Sequence, residues 1–239
     1  MNAKETAMKW FAAGCRYEIM NSPDQASEAY RQAIKADSSI IPAHVNLGFI
    51  CLRSGDFDSA FKFFSRAAAL QPDNPEALNN LGYIYEKLER LGNAKQMYKK
   101  ALTLDPANLE ALINLANVSE LEGDYFGAVR QYKKAMEITP EATAPHYCLA
   151  FLYERYDMFD EAAAQYEEVL DINPLHTKAA FNLANLNLQL GQFEKAAGLF
   201  ERVLEIDPDN EDAWNGLGMT YENLDGMKGR GVLRRLDYL

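Results

Sequence analysis

Leucine returns every thirty-four residues, as Leu47, Leu81, Leu115, Leu149, Leu183 and Leu217, and the next residue is always small: Gly48, Gly82, Ala116, Ala150, Ala184 and Gly218, with Gly14 one period earlier. A second apolar beat follows within each period. Ala26, Ala60, Ala94, Ala128, Ala162 and Ala196 each stand four residues before an aromatic, Tyr30, Phe64, Tyr98, Tyr132, Tyr166 and Phe200. A fixed period in the range of about 20–50 residues marks a stack of supersecondary units, because a single globule has no reason to count. Small residues let two helices approach closely, and the leucine and the ring fill the space beside them. The predicted unit is a pair of antiparallel helices.

Units that start at Ala7, Ile41, Pro75, Leu109, Thr143, Thr177 and Glu211 need no insertion or deletion between them. Positions below are counted within a unit from its first residue. Gly55, Gly123 and Gly191, at position 15, can take the positive φ that a helix C-terminus asks for, so the first helix is predicted to end there. Pro72, Pro106, Pro140, Pro174 and Pro208, at position 32, bias the preceding residue away from helix and close the second one.

The chain of 239 residues is 48% hydrophobic, enough to bury a large core and too apolar for a disordered polymer. A formal charge of −11 repels phosphate backbones, so no nucleic-acid partner is expected. The cationic cluster Lys228, Arg230, Arg234 and Arg235 reads as a solvated helix face or tail. No apolar run is long enough to span a bilayer and no basic-then-apolar leader opens the sequence, so direct membrane insertion is not expected and the expected compartment is the cytoplasm. Cys15, Cys51 and Cys148 are odd in number and widely spaced, which gives neither a disulfide framework nor metal-ligand spacing.

The ensemble of small, aromatic and proline positions resembles the tetratricopeptide repeat family. Trp10, Gly14, Tyr17, Ala26, Tyr30 and Ala33 set the first unit in the family register, with Ser38 where proline is usual, and the resemblance covers residues 7–225. It implies an all-α fold, an α-solenoid whose helix pairs wind into a right-handed superhelix, with first helices lining a concave groove. Residues 1–225 form the array; residues 226–239 are expected to be a divergent capping helix or tail, because Arg230 and Arg234 replace the expected alanine and aromatic.

The resemblance further implies that positions 2, 5, 6, 9, 12 and 13 of the first helix face the groove. Position 6 reads Asn46, Asn80, Asn114 and Asn182, broken by Ala12, Cys148 and Gly216. A row of amides can hold the backbone of an extended peptide without reading its sequence, as a similar row does in the repeat arrays of O-GlcNAc transferase. The other reading is that Asn is merely common there in idealised repeats. Position 9 contributes Phe49, Tyr83, Asn117, Phe151 and Asn185, and position 5 adds Phe11, Tyr147 and Phe181, some of which must instead pack between repeats. Position 12 is acidic in Glu18, Glu86, Glu120, Glu154 and Glu222; either these make an acidic groove, or they pair along the helix surface with Lys or Arg four residues away.

The co-chaperones of this family that grip a C-terminal carboxylate carry Lys and Asn, then Asn, then Lys and Arg in three successive units. Here Lys178 precedes Asn182 rather than Arg, and Asn114 is followed by Cys148, so such a clamp is not expected. His44 and His146 stand where the family has bulky core residues, and no phosphate loop, zinc-protease motif or nucleophile elbow occurs. No catalytic residue, metal or cofactor is assigned. The expected function is a non-enzymatic scaffold or adaptor that binds a protein or peptide, a basic or mixed-apolar segment, in the groove. Two alternatives stay open at this level: a self-assembling homo-oligomeric scaffold, and the regulatory array of a larger enzyme such as a glycosyltransferase.

Overall fold

The computed structural model describes residues 2–236, with side chains through Asp225. It is all-α. In chain order the helices are α1 (Ala3–Ile19), α2 (Pro23–Ala36), α3 (Ile41–Arg53), α4 (Phe57–Leu70), α5 (Pro75–Lys87), α6 (Leu91–Leu104), α7 (Leu109–Leu121), α8 (Tyr125–Ile138), α9 (Thr143–Arg155), α10 (Phe159–Ile172), α11 (Thr177–Gln189), α12 (Phe193–Ile206) and α13 (Glu211–Leu236). From α3 to α13 every first helix begins at the unit start read from the sequence. Every second helix ends two residues before the position-32 proline or, in the first unit, Ser38.

The reasons are local. Asn74 and Asn108 cap α5 and α7 by accepting backbone N–H groups of Glu76 and Ala77, and of Ala111, and Pro75 opens α5 where its missing N–H costs nothing. At the other end, position 15 takes positive φ in all six units that turn back: Asn21 (53°), Gly55 (79°), Glu89 (58°), Gly123 (78°), Asp157 (58°) and Gly191 (72°). Three of these are not glycine and carry the cost of a Cβ in the left-handed region, about 1–2 kcal/mol. Glycine loses part of that gain to the entropy of the unfolded chain. Glu89→Gly is therefore expected to raise stability by about 0.5–1 kcal/mol in urea titration; a loss of stability would mean that the Glu89 side chain holds the turn.

The chain divides into two compact units, one through Gln131 and one from Tyr132, with the boundary inside α8. In the first, Tyr30, Phe64 and Tyr98 are 0–1% exposed and stand between successive helix pairs. A Cβ built on Gly14, Gly48 or Gly82 would lie 2.4, 2.9 or 2.5 Å from the ring of its own unit, so the glycines are what let first and second helix close on each other. The second unit repeats the pattern around Tyr132, Tyr166 and Phe200, all fully buried, with Ala150 and Ala184 as the small partners. At its end α13 runs from Glu211 to Leu236 without the turn at position 15. The boundary expected at residue 225 lies within this helix. Of the segment 226–239, side chains are outside those described, and residues 237–239 are outside the described residues altogether.

Candidate functional site

The face built by the first helices carries the residues that the sequence singles out, and they fall into two sets. The first set is engaged inside the protein. Asn46 donates its amide N–H to the Tyr30 hydroxyl of the preceding unit at 2.9 Å, and Tyr30 in turn donates to Glu18 Oε2. Glu18 also pairs with Arg53 at 3.2 Å. Asn182 repeats the arrangement, donating to Tyr166 at 3.2 Å and to Tyr147 at 3.1 Å, while the Tyr166 hydroxyl donates to Glu154 Oε2 at 2.9 Å. Tyr98 donates to Glu86 Oε2 at 3.2 Å. Asn114 turns to Asn79 Oδ1 at 3.1 Å, and buried Asn79 donates onward to Glu110 at 3.2 Å. Asn117 and Glu120 are half-buried and have partners of their own.

Position 12 is thus explained by neither reading of the sequence alone. Glu18, Glu86 and Glu154 serve as acceptors for a buried tyrosine hydroxyl, which would otherwise lose its hydrogen bond on leaving water. The sequence holds a signal for this. Where position 24 is Tyr (Tyr30, Tyr98, Tyr132, Tyr166), position 12 is Glu (Glu18, Glu86, Glu120, Glu154); where it is Phe (Phe64, Phe200), position 12 is Leu (Leu52, Leu188). Burial raises the Glu86 carboxyl above the usual glutamate range, and burial together with the facing carboxylate pushes the Tyr98 phenol well above the tyrosine range. The Tyr98 shift keeps its hydroxyl protonated as the donor, whereas the Glu86 shift is the cost of holding the acceptor away from water, which the hydrogen bond from Tyr98 partly offsets.

The second set remains open. Asn80 is half-buried and faces no hydroxyl, since the preceding ring is Phe64; it has no side-chain hydrogen-bond partner among the described residues. Phe49 is 36% exposed and meets the Phe64 ring in a T-shaped arrangement at 5.1 Å between centroids. Tyr83 is half-buried, and the Lys87 ammonium sits 4.9 Å over its ring. In the second unit Phe151 is 47% exposed and Asn185 is half-buried. The position-5 rings Tyr147 and Phe181 brace against Tyr166 and Phe200 at 5.8 and 5.9 Å. A cleft of about 380 Å³ opens beside them, lined by Tyr147, Lys178, Phe181, Asn182, Asn210 and Asp212. Such rings present rigid apolar area at low entropic cost to whatever lies across them.

His44 and His146 are buried as core residues, with His44 on the Ser38 carbonyl at 3.0 Å and His146 on Gln165 at 3.0 Å. His176 caps α11, accepting the Ala179 N–H. The three cysteines are free. Among the described residues no cluster of His, Cys, Asp and Glu could hold a metal ion, and no helix is long and apolar enough to cross a membrane.

Four family profiles, all described as tetratricopeptide repeat, match residues 10–40, 39–107, 79–143 and 155–220. No match was found among curated proteins. Solved structures with the same fold include PilW, described as a widely conserved type IV pilus biogenesis factor, at 19% identity and a TM-score of 0.77, over 88% of this chain and 98% of that one. A chain of the APC/C hetero-tetramer Cut9–Hcn1 matches at 19% identity and a TM-score of 0.72, over 90% of this chain, which spans 43% of that one. YrrB, described as a repeat protein of this family with an unusual peptide-binding site, matches at 23% identity and a TM-score of 0.54, over 79% of this chain and 97% of that one.

Proposed function

The chain belongs to the tetratricopeptide repeat family, and on that footing we propose that it is a non-catalytic protein-interaction module whose first-helix face holds an extended segment of a partner protein. The observation that carries this is the open set itself: Phe49, Asn80 and Tyr83 present two rings and an unpaired amide within two adjacent repeats, while their neighbours in the same rows are engaged internally. The rings take apolar side chains of the segment, and Asn80 offers a donor and an acceptor to its backbone. Exposed Glu76 on α5, exposed Glu110 on the next first helix α7 and the charge of −11 favour a segment that also carries Lys or Arg. The free thiols accord with a reducing compartment, and the cytoplasm is the location we assign.

Peptides selected from a random library on the immobilised full chain provide the ligand for the test. Asn80→Ala and Tyr83→Ala are each expected to weaken the selected peptide about tenfold, or about 1.4 kcal/mol, with the melting midpoint unchanged, because neither side chain supports the core. Unaltered affinity in both variants would remove the first-helix face from the binding site.

A further inference from the structure

Six units of the chain show what normally covers the back of a first helix. Position 4 meets position 23 of the unit's own second helix, as His44 stacks near Phe63 at 6.3 Å and His146 binds Gln165 at 3.0 Å. Position 8 meets the position-24 ring, as Gly14, Gly48 and Gly82 do, and it is buried in all six units. Position 12 accepts the hydroxyl of that ring from Tyr30, Tyr98 and Tyr166.

In the seventh unit no described residue covers the same stripe. Trp214, Asn215, Gly218, Met219 and Glu222, at positions 4, 5, 8, 9 and 12, are all exposed, and a Cβ added to Gly218 would meet nothing within 4 Å. The stripe is not left open by a poor first helix, because α13 is seated normally on its other side: Gly216 packs under the Phe200 ring and Tyr221 donates to Glu201 at 2.6 Å. The residues that would form a second helix by the repeat rule carry Arg230 in place of alanine and Arg234 in place of the aromatic, and α13 continues straight through the position where the other units turn.

We infer that the Trp214–Gly218–Glu222 stripe of α13 is a docking site for a helix of another protein, one that supplies the missing second helix: an alanine, a tyrosine four residues later, and basic flanks. The alanine and the aromatic follow from what Gly218 and its six counterparts accommodate. Tyrosine rather than phenylalanine follows from Glu222, since glutamate at this position accompanies tyrosine and leucine accompanies phenylalanine in every complete unit. The basic flanks follow from charge at the stripe: from Glu211 to Asp225 the helix carries Glu211, Asp212, Glu222 and Asp225 and no Lys or Arg, the cations Lys228, Arg230, Arg234 and Arg235 falling beyond it in the sequence. This site is distinct from the first-helix face on which the proposed function rests.

The probe is a synthetic peptide of residues 91–104, which carries Ala94, Tyr98 and Lys95, Lys99 and Lys100, titrated into the full chain. It is expected to bind. Gly218→Leu should weaken it at least tenfold while leaving the fold intact, because the added side chain points into open space, and should leave a peptide selected for the first-helix face unaffected. A Tyr98→Phe version of the probe should bind the wild-type chain about fivefold more weakly, and Glu222→Leu should invert that preference. The proposal is overturned by no binding up to about 1 mM, by equal binding to Gly218→Leu, or by a wild-type dimer that Gly218→Leu dissolves, which would make a second copy the occupant.

Discussion

Gly82→Leu is expected to cost the chain about 3 kcal/mol, near the upper end for overpacking a filled core, whereas Gly218→Leu, at the equivalent position of the seventh unit, is expected to cost nothing. A Cβ on Gly82 would lie 2.5, 2.8 and 3.0 Å from three atoms of the Tyr98 ring. That ring is fully buried and its hydroxyl is tied to Glu86, so it has nowhere to go without parting α5 from α6. Replacing glycine in a helix returns at most about 1 kcal/mol of propensity, too little to offset the clash. At Gly218 no described atom lies within 4 Å of an added Cβ, and the propensity gain stands alone. Urea titrations of the two variants check the contrast. In a repeat array stability is roughly a sum of local and nearest-neighbour contributions, so faster amide exchange in the Gly82 variant should be centred on α5 and α6 and fade along the neighbouring helices. Equal effects at both glycines would mean that the stripe on α13 is covered after all.

The second large effect lies in the pairing of position 12 with position 24. Tyr98→Phe leaves the Glu86 carboxylate half-buried without its donor, and Glu86→Leu leaves a hydroxyl that is shut away from water without its acceptor. Each change alone is expected to cost about 1–2 kcal/mol, the penalty of an orphaned buried polar group. Together they recreate the Leu52–Phe64 and Leu188–Phe200 combination that the chain already uses in two of its units. The double variant should therefore come within about 0.5 kcal/mol of the wild type, a coupling of roughly 2 kcal/mol in a double-mutant cycle. Additive losses would show that the carboxylate and the hydroxyl act independently.

Much of this architecture could be read from residues alone. The glycine and alanine rows, the position-15 turns and the position-32 prolines each act locally or between nearest helices, and their period places every helix start of a unit from Ile41 to Glu211 where it is found, while the end of α13 escapes it. Less could be read of the polar rows. Which way Asn46 and Asn182 turn depends on whether the preceding unit offers a tyrosine hydroxyl, a partner sixteen residues back in the chain and on a different helix. Asn114, flanked by Asn79, takes a third course. A row that looks uniform in the sequence thus divides into members that hold repeats together and one, Asn80, that has no side-chain partner among the described residues. The Glu–Tyr and Leu–Phe correspondence was present in the sequence throughout, but it acquires meaning only once the two helices are seen to bring those side chains together.

The division between engaged and open residues is the centre of this account, and the affinity of a peptide selected for the first-helix face tests it most directly when measured on Glu86→Leu/Tyr98→Phe beside Tyr83→Ala. The account predicts that the double variant binds within about twofold of the wild type while Tyr83→Ala loses about tenfold. A double variant that loses as much as Tyr83→Ala would place Glu86 in contact with the ligand and contradict the assignment of position 12 to the fold.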